Sequence, residues 1–567
     1  MFSVSHSAKG CLGLGLIACA ACVGPANKPD AIQAPQVFYT LTGEIALTRH
    51  EPRVAALQYT AAAELDADPK FLARASEVTD QCLQPTLSVI VATRWIGADP
   101  AAIEAHRAAA KAWLELFEIG PAAEQYRFVV STSTRGADLE LTDLEAELSL
   151  TENVFAARLL ADRLAADYPT SVAALRLEGF AALRGDAPAV AVHSFSAALE
   201  LLGAGAGEPD KGLRRELTQG LWRARILNGD AQEPLAQSQA LSEREATPAN
   251  QLDHALLLLA AQQDDAALAQ LQLLARQPEL APVALRLTGL VEFQNGRLDA
   301  ASDAFTQLLT LGKFIDDAFY YLGQIAERHG DFERAVRLYA RVQNGDNAVP
   351  ALLRACAILQ VHGAAGAAQD LLDHLVEEEP QRAPEIMAAR ARIYLDAGDA
   401  AQAFDVLDRG ALQYPDSVDI RYARASTYES QGRIDAALQE LKQVLKSRPE
   451  DPAALNAYGY TLADHKLKLG YARTLIERAH ATAPKNAAIL DSLGWVLFRQ
   501  GHAEQALTYL NDAYADDRGG DIAAHLGEVM WSMGRRADAE RVWSEAGAID
   551  SDNKVLNATR QRLRAEH

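Results

Sequence analysis

The stretch Leu490–Tyr514, LDSLGWVLFRQGHAEQALTYLNDAY, carries small residues at fixed offsets. Gly494 is followed by Gly501, Ala506 and Ala513 at seven, twelve and nineteen residues. With Gly494 numbered as position 8 of a 34-residue unit, these four fill positions 8, 15, 20 and 27. Gly527, Gly534, Ala539 and Ala546 repeat the set, and Gly323, Gly330 and Ala335 repeat it again. Gly289, Gly296 and Ala301 do the same, with Phe305 four residues further on. Residues 289, 323, 356, 391, 425, 459, 494 and 527 all occupy position 8, and the 238 residues from first to last make seven periods of 34. A phase held over seven steps marks an internal repeat.

The physical reading is two antiparallel helices per unit, A and B. Positions 8, 20 and 27 lie where A meets B and where the next A packs, so a large side chain there would force the helices apart. Position 15 ends helix A, where Gly takes a left-handed cap without steric penalty. Pro415 and Pro449, at position 32, stop helix B. The pattern resembles the tetratricopeptide repeat. It implies an all-α, right-handed superhelical solenoid of about 11 to 15 helical hairpins. The residues that hold the repeat are Gly289, Gly323, Gly459, Gly494, Ala506, Gly527 and Ala539.

The N-terminal half carries the period more faintly. Gly43, Ala55, Tyr59 and Ala62 fill positions 8, 20, 24 and 27, and so do Gly179, Ala191, Phe195 and Ala198. Between Gly179 and Gly289 the frame gains eight residues over three repeats. GAGAGEPDKG, Gly203–Gly212, is the place for them, as a hinge or an enlarged turn. The organisation read from the chain is a leader at 1–18, a tether at 19–36 and a degenerate array at 37–202. An irregular hinge with helices follows at 203–254, then the main array at 255–549 and a basic capping helix at 550–567.

The start, MFSVSHSAKGCLGLGLIACAACVGP, has Lys9 and then an apolar run of nine residues, Gly10–Ala18, too short to span a bilayer. LIAC resembles the lipobox of bacterial lipoproteins. That resemblance implies cleavage before Cys19 and acylation of Cys19, with Cys22 as the second choice. Neither cysteine is followed by Asp, which favours the outer membrane, facing the periplasm. VGPANKPDAIQAPQ, with three prolines, reads as an extended tether. Cys82 and Cys356, far apart in helical patterns, read as two buried thiols.

A net charge of −22 disfavours nucleic acid and anionic lipid, and suits a basic protein partner. No phosphate loop, HExxH or Gly-x-Ser-x-Gly elbow occurs, and GAGAGE lacks the small residue a dinucleotide loop needs at Glu208. His525 and Glu528 share a helical turn without a third ligand, so neither a metal site nor a cofactor is expected. The expectation is a non-enzymatic binding surface. In such arrays helix A lines a concave groove with positions 2, 5, 9, 12 and 13. Those positions hold Tyr320, Gln324, Tyr422, Asn456, Tyr460, Asp464, Asp491, Trp495, Arg499, Glu528 and Trp531. Aromatic and polar residues so mixed suit a protein interface, while Trp495 and Trp531 equally suit wedging between neighbouring helices.

NAYGYTLADHKLKLGYARTLIERAHATAPKNAAILDSLGWVLFRQGHAEQALTYLNDAY, followed by AAHLGEVMWSMGRRADAERVW, resembles proteobacterial tetratricopeptide outer-membrane lipoproteins. Among these are the partners of periplasmic carboxyl-terminal processing proteases. The resemblance is close over about residues 451–545 and looser over Val37–Ala110. It implies a scaffold that binds and activates the protease and brings it peptidoglycan hydrolases that cut peptide cross-links. The other scaffold that the repeats would serve is one for envelope assembly, such as polysaccharide export or pilus building.

Overall fold

The computed structural model describes residues 33–151, 153–204, 210–549 and 553–565. Cys19, Cys22 and the leader lie outside the described residues, as do 205–209 of the glycine-rich segment. Among the described residues there are 31 α-helices and no strand. They form the expected all-α superhelical solenoid of tetratricopeptide hairpins. Pro452–Asp464 and Leu469–Thr482 make one hairpin, and Ala487–Arg499 and Ala503–Asp516 make the next. In these two units helix A packs on its own helix B, the first helix B packs on the second helix A, and the two helices A meet each other.

The glycine at position 8 is required by a specific contact. Each sits against the side chain sixteen or seventeen residues on, in the middle of helix B. A Cβ on Gly494 would lie 2.6 Å from Leu510 Cγ and 3.0 Å from the Ala506 carbonyl oxygen. On Gly289 it would meet Phe305 at 2.7 Å, on Gly323 Tyr339 at 2.7 Å and on Gly179 Phe195 at 2.6 Å. A large side chain at position 24 thus fills the space that a missing side chain at position 8 leaves. Phe305, Tyr339 and Phe195 are fully buried by this arrangement.

Position 15 is left-handed throughout the array. Gly296, Gly330, Gly363, Gly398, Gly432, Gly501 and Gly534 all have φ between 69° and 90°. Six units reach the left-handed conformation without glycine: His50, Leu83, Phe117, Asp186, Gln262 and Lys466 have φ between 52° and 66°. Helix starts are capped by side chains. Asp451, Asn486 and Ser417 accept from the backbone N–H of Ala453, Ile489 and Ile420.

Three details differ from the sequence reading. The first helix begins at Gln33, inside the stretch read as tether. The eight surplus residues go largely into two long helices, Pro188–Ala204 and Lys211–Leu227, of 17 residues each against 13 or 14 elsewhere in the neighbourhood. Those two share one core of Phe195, Ala198, Leu217 and Ala224, so packing is continuous across the glycine-rich segment. From residue 210 to 254 the chain is mainly helical.

The solenoid winds until early and late repeats touch. Leu83 packs beside Tyr414 and Met387. The Gln84 side-chain amide donates to the Gln413 carbonyl at 2.8 Å, and the Thr86 N–H to the Asp416 carboxylate at 3.4 Å. Further along, Lys485 donates to the Leu227 carbonyl. At the far end the last helix, Lys554–Ala565, covers Gly520–Ser532 with Leu556, Thr559 and Leu563 buried.

Two substitutions test the repeat logic. Gly494→Val should destabilise the C-terminal repeats by about 2 kcal/mol or more, because both Leu510 and the helix B backbone resist displacement. Lys466→Gly should stabilise them by about 0.5–1 kcal/mol, relief of the left-handed strain outweighing glycine's extra chain entropy. Urea denaturation followed by circular dichroism checks both.

Candidate protein-binding surface

The predicted groove residues fall on five helices A, and their surroundings differ. On Ile315–Arg328, Tyr320 and Gln324 are half-buried, and the Tyr320 ring meets Tyr321 edge-on at 5.2 Å. On Val418–Ser430, Tyr422 is half-buried. Its hydroxyl has no partner, and burial pushes its pKa up. On Pro452–Asp464, Asn456, Tyr460 and Asp464 remain partly open.

The last two helices behave otherwise. Asp491 and Trp495 on Ala487–Arg499, and Glu528 on Gly520–Ser532, are buried rather than presented to an open groove. They belong to a polar network that runs through three consecutive units to the last helix. Asp464 accepts from Trp495 Nε1 and from the Arg499 guanidinium, both at 3.0 Å. That guanidinium stands 4.3 Å over the Trp495 ring, and Trp495 stacks on His525 at 4.0 Å. His525 Nδ1 reaches both Asp491 carboxylate oxygens at 2.9 Å. Glu528 accepts from Arg562 of the last helix, and Trp531 stacks on Trp543 at 5.5 Å. Position 13 of one unit thus binds positions 9 and 13 of the next, through Asp464, Trp495 and Arg499, and position 5 binds position 6 of the next, through Asp491 and His525. Arg499 stays partly open beside Tyr460 and Asp464.

Burial alone would push His525 down, but the Asp491 carboxylate, with Asp464 and Glu528 nearby, outweighs it and holds the imidazole above its ordinary value. His525 was visible in the sequence only as a helical neighbour of Glu528; its real partner lies 34 residues back. Spacing by one repeat is the signal that finds such pairs. It also joins Arg107 to Glu140, Arg176 to Glu145 and His465 to Glu429. Glu429, Asp464 and His465 lie close enough together to hold a cation. Asp464 already serves Trp495 and Arg499, and His465 already bonds Glu429 at 2.8 Å. Cys82 and Cys356 are free and buried, and burial pushes their thiols up to about 11 and about 12. Neither is poised for nucleophilic chemistry.

The surface least explained by the chain's own packing is at the N-terminal end. On the first helix, Gln33–Thr48, Val37, Phe38, Leu41 and Ile45 are 49, 62, 58 and 49 % exposed. Their spacing puts them on one face. The opposite face packs on Pro52–Leu65 through Ala46 and Tyr59. The two ends of the solenoid therefore differ: a helix covers the last repeat, and the first presents an apolar stripe.

Tetratricopeptide-repeat models match residues 252–314, 299–349 and 394–459. A tetratricopeptide repeat-containing protein of Pseudomonas aeruginosa is 35% identical over 214 residues. The match spans 38% of this chain and 36% of that relative. Among solved structures, yeast Tom70 aligns over 94% of this chain and 95% of its own, at 13% identity and a TM-score of 0.33. A thermophilic repeat protein of Thermus thermophilus aligns over 32% and 97%, at 19% identity and a TM-score of 0.29. The chain folds as a solenoid of tetratricopeptide-type helical hairpins, and repeat models of that family match it over residues 252–349 and 394–459. Its particular partners are a matter for proposal.

The Asp491–His525 pair yields a pH prediction. Because the folded pKa of His525 is raised above 6.5, its stabilising contribution is complete below that value and is lost as pH rises through the raised one. His525→Gln should lower stability by about 3 kcal/mol at pH 6, as it strands a buried carboxylate. The deficit should shrink toward pH 9. Melting temperatures of both chains across that range measure it.

Proposed function

We propose that this chain is a lipid-anchored outer-membrane scaffold that binds and activates a periplasmic carboxyl-terminal processing protease and presents peptidoglycan hydrolases to it. Acylation of Cys19, or of Cys22 in its place, supplies the anchor. The protease docks on the first helix, and the hydrolase is held by the inner wall of the superhelix. The effect is one of effective concentration: two proteins held on one solenoid meet as if intramolecularly.

The observation that carries the reading is the apolar stripe Val37, Phe38, Leu41 and Ile45, exposed along one face of the first helix. A contiguous apolar face of this kind marks a protein interface more often than a solvated surface. It lies next to the segment that would tether the chain, where a docked enzyme stays close to the membrane. The family resemblance over residues 451–545 and 37–110 supplies the identity of the partners.

In the test, the soluble mature chain is mixed with the processing protease and a candidate hydrolase. Cleavage should accelerate, and a complex should elute ahead of either protein. Phe38→Glu with Leu41→Glu should abolish both effects while circular dichroism stays unchanged, since neither side chain is in the core. An unchanged cleavage rate with no complex contradicts the proposal. Recovery of secretion-machine subunits without a protease, on affinity capture from membranes, would favour the envelope-assembly scaffold instead.

A further inference from the structure

The superhelix closes on itself at few points. Thr86 and Asp416, which meet across the seam, stand 330 residues apart in the chain, or about ten repeats. Further along, Lys485 reaches the Leu227 carbonyl across 258 residues and faces Asp186. Between these two contacts the turns leave a cavity of about 720 Å³. Leu114 and Phe155 line it from the early turn, Tyr414 and Tyr422 from the late one.

The seam is built differently from the stack within a turn. Neighbouring hairpins share continuous apolar cores, one of which spans Leu455 to Leu563. At the seam, among the described residues, Leu83 alone of the early turn joins the apolar cluster around Met387 and Tyr414. The other contacts there are polar: the Gln84 amide on the Gln413 carbonyl at 2.8 Å and the Thr86 N–H on Asp416 at 3.4 Å. Gln84 is 1 % exposed in this closed form. When the turns part, water takes the place of each polar partner, so the exchange has little net cost. Parting two hairpins within a turn would instead expose an apolar core. The strain of opening is also shared. Each unit touches only its neighbours, so a gap at the seam needs a small rotation at each of about ten interfaces.

The C-terminal end of the inner groove is bridged. Lys554 of the last helix bonds Asp396, a residue of the inner wall 158 positions back, at 2.8 Å. A folded body reaching the inner wall from the side must pass the seam.

We propose that the seam is a gate: the turns part between residues 83–86 and 413–416 while every hairpin stays folded, and a folded protein enters the inner groove through the gap. The closed form is the resting state. The motion does not depend on which partner the chain serves. The cargo rests on the reading that the inner wall holds a hydrolase.

Single-molecule energy transfer between dyes at Gln81→Cys and Leu412→Cys reads the motion. Both positions are exposed, and the native Cys82 and Cys356 are buried. A dominant high-transfer state is expected, with excursions to low transfer that occupy on the order of 1 % of the time. Gln84 makes no capping bond to its own helix, so Gln84→Ala with Asp416→Ala weakens the seam and little else. The pair should raise the low-transfer fraction about tenfold while circular dichroism stays unchanged. A single high-transfer state in both chains, or low transfer accompanied by loss of helix, overturns the gate. Joining the same two cysteines with a short bismaleimide locks the seam. The locked chain should bind a folded hydrolase at least about tenfold more slowly than the unlocked one, and should keep protease docking on the first helix. Equal association rates overturn the entry route. If the unlocked chain captures no hydrolase, the reading of the inner wall fails, and the energy-transfer result alone decides the gate.

Discussion

The contact between a glycine in helix A and a large side chain in helix B is the constraint on which the rest of this molecule depends. It sets how closely the two helices of a unit approach, and every later feature scales from that distance. Where position 8 is bare, as at Gly494, Gly323 and Gly179, the facing Leu510, Tyr339 and Phe195 sink into the space and are fully buried. Repeated down the chain, the same approach gives nearly the same rotation at each step. Curvature thus accumulates from a local packing rule. No single core holds the protein; a run of small cores does, each shared by neighbouring hairpins.

Superimposed on the apolar repeat is a polar one. Ion pairs and hydrogen bonds link residues about one unit apart: Arg107 to Glu140, Arg176 to Glu145, His525 to Asp491, Arg499 to Asp464. On exposed helices such pairs contribute little. In the last repeats they are buried and joined by stacked rings, and there they bind consecutive helices A to one another. The inner wall is thus tight near the C-terminus and more open around Tyr320, Tyr422 and Tyr460. A solenoid built this way has a tightly packed end and a more accessible middle.

The periodic part of this structure was legible in the chain because periodicity is local. Offsets of seven, twelve and nineteen place Gly501 in a left-handed turn and Ala506 against Gly494, and both are found so. The contacts produced by accumulated rotation were not legible. Nothing near Leu83, Gln84 or Glu115 in sequence says that they face residues 413–422, because that meeting depends on small angles summed over many units. The groove residues were partly legible for the same reason. Position numbers placed Asp491, Trp495 and Glu528 on the inner wall but could not say that neighbouring turns would close over them. The left-handed turns at His50, Asp186 and Lys466 also escaped a reading that looked for glycine, since the array imposes the conformation whatever the side chain.

A solenoid that meets itself differs mechanically from an open one. The contact of Leu83, Gln84 and Thr86 with residues 413–416 fixes the diameter of the superhelix and creates the cavity at the seam, while the first helix stays free at the end. Such a body presents its surfaces at set positions rather than along a flexible ribbon. Pulsed electron paramagnetic resonance tests this closure most directly, with spin labels at Gln81 and Leu412, two exposed positions flanking the contact. The buried thiols of Cys82 and Cys356 do not compete for the label. Closure predicts one short, narrow distance distribution in solution. A broad distribution centred at long distance would contradict it.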